Sequence, residues 1–160
     1  MDIKAFKMDG LGNDFVIVDR RKSEINLIKE QIIKIGDRNN VGFDQIIFIE
    51  KKVKDVLPIK IYNPDGIEVG ACGNGSRCIA YLISKENNQK TIKLEAQNKI
   101  LEAEILSEKL VRINMGLPEF KDNKSIPIKE GLDPRKVSID FIQKECGNGI
   151  CVNVGNPHII

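Results

Sequence analysis

The residues best equipped for chemistry lie in "VGACGNGSRCIAYLIS", Val69 to Ser84. Cys72 stands directly ahead of an apolar helical pattern, and glycines bracket Asn74. A helix start leaves several backbone N–H groups unpaired and carries the positive end of the helix dipole. That field favours a thiolate and lowers a cysteine's pKa, while the same N–H groups bind an anion such as a carboxylate. Glycines at 73 and 75 let the backbone approach a ligand with no Cβ in the way. One loop can thus activate a thiol and hold a substrate carboxylate. The competing reading is a small buried hydrophobe, the commonest fate of a free cysteine. From this stretch alone Cys72 as base or nucleophile, as core filler, as metal ligand and as half of a disulfide all stay open.

The other polar candidates have plainer readings. Cys72-x5-Cys78 and Cys146-x4-Cys151 form two pairs, but the first spacing exceeds the usual zinc spacing and His158 is the single histidine. Cys78 falls inside the helical pattern and Cys151 on an alternating strand, so both read as packing. The second "CGNG", 146–149, is followed by a strand rather than a helix, and Asn148-Gly149 reads as a two-residue hairpin turn. His158, in "GNPH", reads as a polar loop residue unless others converge on it. Asp44, Asp65 and Glu68 lie in turn regions and read as solvated or capping.

Strands must position these groups in the first half of the chain. Ile3–Met8 and Phe15–Asp19 flank the glycine-bearing loop "DGLGND". Asn26 reads as the N-cap of a helix to about Ile35, with an apolar stripe of Leu27, Ile28, Gln31 to Ile33 and Ile35. "FDQIIFIE" and "LPIKIYN" read as strands. "NPDG" between Asn63 and Gly66 is a turn, because Pro presets φ and Gly accepts φ > 0. A second helix follows Gly75 and stops at Asn87-Asn88. "TIKLEA", "ILEAEILS" and "LVRINMG" are further strands, and strand patterns return at "VSIDFIQKE" and "ICVNV". A boundary near Gly116–Asp122 divides the chain into residues 1–117 and 118–160. The expected class is α+β. The chain ends at "VGNPHII" in the middle of an apolar strand-and-loop pattern, which reads as unfinished.

The bulk numbers exclude some functions. A 160-residue chain with 41% hydrophobic and 30% charged residues has the composition of a soluble globular protein. Net charge is +2, with no basic cluster beyond Arg20-Arg21-Lys22 and Lys51-Lys52. Aromatic content is 5% with no Trp, so neither charge nor stacking favours nucleic acid or a membrane surface. The N-terminus "MDIKAFKMDG" lacks the apolar core of a signal peptide, so a cytoplasmic location is expected, where thiols stay reduced.

Five motifs taken together carry more weight than any one. "FKMDGLGNDFVIVD", "VGFDQ", "YNPDG", "EVGACGNGSRC" and "VGNPH" resemble the diaminopimelate epimerase family in order and spacing, from Phe6 to His158. The resemblance implies a lobe with a mixed sheet wrapped around a central helix, followed by an incomplete second lobe of the same kind. It implies an isomerase that interconverts L,L- and meso-diaminopimelate in lysine and peptidoglycan precursor synthesis, with no pyridoxal phosphate, no other cofactor and no metal. Two cysteines would face opposite sides of the α-carbon, one as thiolate removing the proton and the other as thiol supplying one to the other face.

Carried over residue by residue, Cys72 matches a catalytic cysteine and His158 a residue that tunes the thiol chemistry. Asn13, Gln45, Asn63, Gly73, Asn74 and Asn156 match substrate-binding positions. The family's second cysteine sits in a Cys-Gly-Thr-Gly loop beyond "GNPH" that has no counterpart here, and Cys146 lies out of register with it. The implied partners are the small-molecule substrate and either a complementing second chain or a second copy. A fragment, a split gene and a decaying gene each account for the missing loop. An inactive remnant or a related two-cysteine amino-acid racemase is the alternative.

Overall fold

A computed structural model of the chain describes residues 5–120, 132–138, 148–155 and 157–160. It opens with strands β1 (Ala5–Gly10) and β2 (Asn13–Asp19), joined by Leu11 and Gly12 alone. Both linker residues have positive φ, 57° and 85°, the backbone sign that a tight type I′ hairpin requires. The loop expected over Asp9–Asp14 is therefore shorter, because the ladder continues through Asp9↔Asp14 and Gly10↔Asn13. Ile3, where the first strand was expected to begin, lies outside the described residues.

Helix α1 (Lys29–Gly36) starts later than Asn26 would have it. The backbone N–H of Ile28 donates to Gln31 Oε1 at 3.0 Å, so a glutamine reaching back from the first turn closes this helix start. Strands β3 (Gln45–Ile49), β4 (Val56–Tyr62) and β5 (Glu68–Val69) precede helix α2 (Gly73–Asn87). Strands β6 (Thr91–Ala96), β7 (Lys99–Ser107) and β8 (Leu110–Asn114) follow it. The "NPDG" turn forms as expected: Gly66 has φ +75° and its N–H donates to Asn63 O at 2.9 Å. Helix α2 stops at Asn88, whose left-handed φ of 57° is one that asparagine tolerates.

The strands form one mixed sheet in the order β1-β2-β3-β4-β6-β7-β8, with β5 added to β4. Its two parallel pairs, β2/β3 and β4/β6, are the ones whose connections contain a helix, α1 and α2 respectively. The apolar runs "FVIV" and "IIFI" follow from this, since β2 and β3 are covered on both faces. Val16, Val18, Ile46 and Phe48 pack with Ile32 of α1, while the alternate residues Phe15 and Ile47 meet Gly75 of α2. In β6 and β7, by contrast, Ile92, Leu94, Leu101 and Ala103 are buried and alternate with exposed residues. Helix α2 touches both edge strands, β1 and β8, as well as β2, β6 and β7. That requires the sheet to curl into a half-barrel around it. The α+β class with a central helix, expected from the sequence, is the class observed.

Packing divides the chain into two compact units, Met1–Asn114 and Met115–Ile160. In the second unit β9 (Val137–Ser138) pairs with β10 (Asn148–Gly149), and β11 (Cys151–Asn153) with β12 (Pro157–Ile159). Asn148-Gly149 is therefore a strand and not the hairpin turn expected. Gly149 lacks the positive φ that such a turn needs, and the ladder partners of the pair are Ser138 and Val137. No helix among the described residues is long and apolar enough to cross a membrane.

Candidate active site

One end of the half-barrel collects the polar residues singled out in the sequence. Because β2 and β3 run parallel with Phe15 opposite Gln45, their N-terminal ends lie side by side and bring Asn13, Asp14, Asp44 and Gln45 together. Strand β4 runs antiparallel to β3 with Tyr62 opposite Ile46, which delivers Asn63 next to Gln45. Gln45 Nε2 donates to Asn63 Oδ1 at 3.2 Å. Gln45 Oε1 is buried and has no hydrogen-bond partner among the described residues.

Helix α2 places its first turn at the same end. Cys72 is its N-cap, in extended conformation, and its Sγ accepts the N–H of Gly75 at 3.3 Å. Sulfur is a weak acceptor where Ser, Thr, Asp or Asn is the usual choice, so a cysteine here is a poor structural cap. Asn74 Nδ2 donates to Asn13 Oδ1 at 2.8 Å, which ties the helix start to the β1–β2 hairpin. Gly73 and Asn74 are both half-buried.

Two expectations about this loop need correction. The helix start does not leave Cys72 with a lowered pKa: burial pushes its thiol up, and the N–H groups of Gly75 and Asn74 and the charge of Arg77 offset only part of that. Gly75 serves packing rather than ligand approach. A Cβ at that position would lie 2.4 Å from Ile47 Cδ1 and 3.3 Å from Phe15 Cε1, so glycine allows the helix to sit against the sheet.

Cys78 packs as expected. It is buried in α2 against Gly10, and desolvation raises its pKa to about 11. Cys151 is buried in the second unit. Among the described residues no group of three or more His, Cys, Asp or Glu is placed to hold a metal ion. His158 is exposed on β12, opposite Val152 in the β11–β12 ladder, rather than in a loop. Asn156 and Cys146 lie outside the described residues.

Asp44, which the sequence left as solvated or capping, turns out to hold the site together with charged residues that the sequence did not single out. Asp44 accepts Asn13 Nδ2 at 3.1 Å, the backbone N–H of Asp14 at 3.0 Å and Arg38 Nη2 at 2.6 Å. Arg38 Nη1 reaches Asp14 at 2.7 Å, and this hydrogen bond, with Lys7 also 2.7 Å away, keeps the Asp14 carboxyl far below the usual range. At the other side Arg77 Nη1 donates to Asn74 Oδ1 at 3.0 Å and its Nε to Val111 O at 3.2 Å. The i, i+3 spacing of Asn74 and Arg77 on a helix was the one sequence signal for this contact.

The fold and the site together define a class: a half-barrel lobe with a cysteine at the start of its central helix and amide side chains around it. The fold is shared with the structure of a predicted epimerase from Pseudomonas aeruginosa, which is 14% identical, with a TM-score of 0.68 over 99% of this chain and 58% of that one. The sequence profile of diaminopimelate epimerase matches residues 5–121. The chain belongs to the diaminopimelate epimerase family. It is 48% identical to the diaminopimelate epimerase of Pelagibacter ubique and 36% identical to that of Coxiella burnetii, in each case over 100% of this chain. It spans 59% of the length of those relatives.

Proposed function

We propose that the chain forms the part of a diaminopimelate epimerase that carries one of two bases, and that it takes part in lysine and peptidoglycan precursor synthesis. Cys72, as thiolate, takes the proton from the α-carbon of L,L-diaminopimelate. The electron pair left on carbon delocalises into the adjacent carboxylate, where N–H donors of the α2 start and of Asn13 and Asn74 stabilise the added charge. Gln45 and Asn63 bind the polar groups of the substrate, with Gln45 Oε1 as an acceptor for an ammonium N–H. Gly73 contributes backbone to the carboxylate site. Asn156 and His158 keep the roles the resemblance gives them, binding substrate and tuning the thiol. Cys72 keeps the abstracted proton, a second thiol outside this sequence supplies a different one to the opposite face, and no pyridoxal phosphate or metal takes part.

The observation that carries this reading is the placement of Cys72 Sγ as cap of α2, beside the Asn13–Asn74 hydrogen bond. Its raised pKa fits a thiol held neutral until a cationic substrate arrives, because a nearby ammonium favours the thiolate.

Incubation of the pure chain with L,L-diaminopimelate in D2O tests the proposal. Deuterium should enter the α-position with retention of configuration, the meso form should not accumulate, and Cys72→Ala should abolish the exchange. Full turnover to the meso form would overturn the single-base reading. Absence of both exchange and substrate protection of Cys72 against alkylation would overturn the functional reading itself.

A further inference from the structure

The hydrogen bonds around Asn13 and Asn74 run in one direction. Arg77 Nη1 donates to Asn74 Oδ1, Asn74 Nδ2 donates to Asn13 Oδ1, and Asn13 Nδ2 donates to Asp44 Oδ2. A side-chain amide has one accepting and one donating end and can be turned over, so an isolated pair of asparagines has two arrangements of equal quality. The ends of this chain remove the choice. A guanidinium only donates, so Asn74 must present its oxygen to Arg77. A carboxylate only accepts, so Asn13 must present its nitrogen to Asp44. Turning either amide over would set oxygen against oxygen or N–H against N–H, breaking two protein hydrogen bonds at the half-buried Asn74 and the exposed Asn13.

Both charged ends are themselves anchored. Arg77 is held by its Nε on the carbonyl of Val111, at an edge strand, and Asp44 by Arg38 and the backbone N–H of Asp14. Each Nδ2 has a second hydrogen that no described residue takes.

We propose that Asp44 and Arg77 are positioning residues that fix the orientation of the Asn13 and Asn74 amides, so that each keeps a spare N–H for a carboxylate of the substrate. The polarity of the amides stands on the hydrogen-bond chain alone. The identity of the carboxylate ligand rests on the diaminopimelate reading above.

The test uses the full chain labelled with 15N, and compares substitutions that keep the donor-only or acceptor-only character of an end with those that lose it. In the parent, the side-chain amide signals of Asn13 and Asn74 should each form a single set. Arg77→Lys keeps a donor-only end and should preserve both sets. Arg77→Gln and Asp44→Asn put a reversible amide at an end, and should broaden or double those signals. The same two variants should bind L,L-diaminopimelate about tenfold more weakly, with Arg77→Lys within about twofold of the parent. In an Asn74→Ala background, Arg77→Gln should add less than about twofold.

Unchanged amide signals in Arg77→Gln would overturn the polarity argument whatever the ligand. Altered signals with unchanged affinity would overturn the role in binding. If the parent fails to bind diaminopimelate, the functional reading falls, and the spectra still decide the polarity. Thermal unfolding checks each fold, and the Arg77 pair decides alone if Asp44→Asn does not fold.

Discussion

The contact at Gly75 makes a sharp prediction about how the Cys72 loop is seated. In Gly75→Ala the new Cβ would meet Ile47 Cδ1 at 2.4 Å, Phe15 Cε1 at 3.3 Å and Cys72 Sγ at 3.4 Å. Ile47 and Phe15 are both fully buried at 0% exposure, so neither has open space to move into. Overpacking of this kind costs about 1–3 kcal/mol. Against it stands the better helix propensity of alanine, worth up to about 1 kcal/mol. The worst contact is with the end of an isoleucine side chain, which in so tight a space can turn aside only at the cost of an unfavoured rotamer. The balance is a loss of about 1–2 kcal/mol.

Ile47→Val removes the offending Cδ1 itself and by itself should cost about 1 kcal/mol. In the double variant the two losses should not add, leaving a coupling of about 1 kcal/mol or more. Urea unfolding followed by circular dichroism measures all four corners of the cycle. Strict additivity, or a Gly75→Ala chain as stable as the parent, would refute the claim that this glycine lets α2 sit on the sheet.

Two further predictions concern ionisation. Because burial raises Cys72 above the ordinary thiol value of 9.0, iodoacetamide labelling of the free chain read by mass spectrometry should rise only in alkaline solution. Cys78, at about 11, should follow at still higher pH, and selective labelling of Cys72 at pH 7 would contradict the desolvation argument. Asp14 has a folded pKa below its unfolded one, so its contribution to stability is present above about pH 4 and is lost as pH falls further. Arg38→Gln should make the chain less stable at pH 7 and flatten the loss of stability from about pH 4 to pH 2, as urea midpoints would show. Parallel pH profiles would sink that assignment.

Much of this protein was legible in one dimension. Alternation marked β6 and β7, doubly buried runs marked β2 and β3, and Asn-Pro-Asp-Gly and Asn87-Asn88 marked a turn and a helix end. These features are set by periodicity and by local φ preferences, which a sequence displays directly. So was the family, through motifs that keep Asn13, Gln45, Asn63, Cys72 and Asn74 in order along the chain.

Where local rules compete, the sequence misled. Asn26 is a better N-cap type than Ile28, yet Gln31 reached back to Ile28 and set the start of α1. Asn148-Gly149 has the composition of a turn, but pairing with Val137 and Ser138 made it a strand. Only the tertiary structure decided the rest, because it depends on what crosses from one strand or helix to another. The dipole at the start of α2 is local, whereas the desolvation that outweighs it at Cys72 comes from the packed surroundings. Gly75 looks like a ligand-binding glycine until Ile47 arrives from another strand. Asp44 and Arg77 sit 33 residues apart in number and take meaning only from the two asparagines that parallel pairing and the helix start place between them.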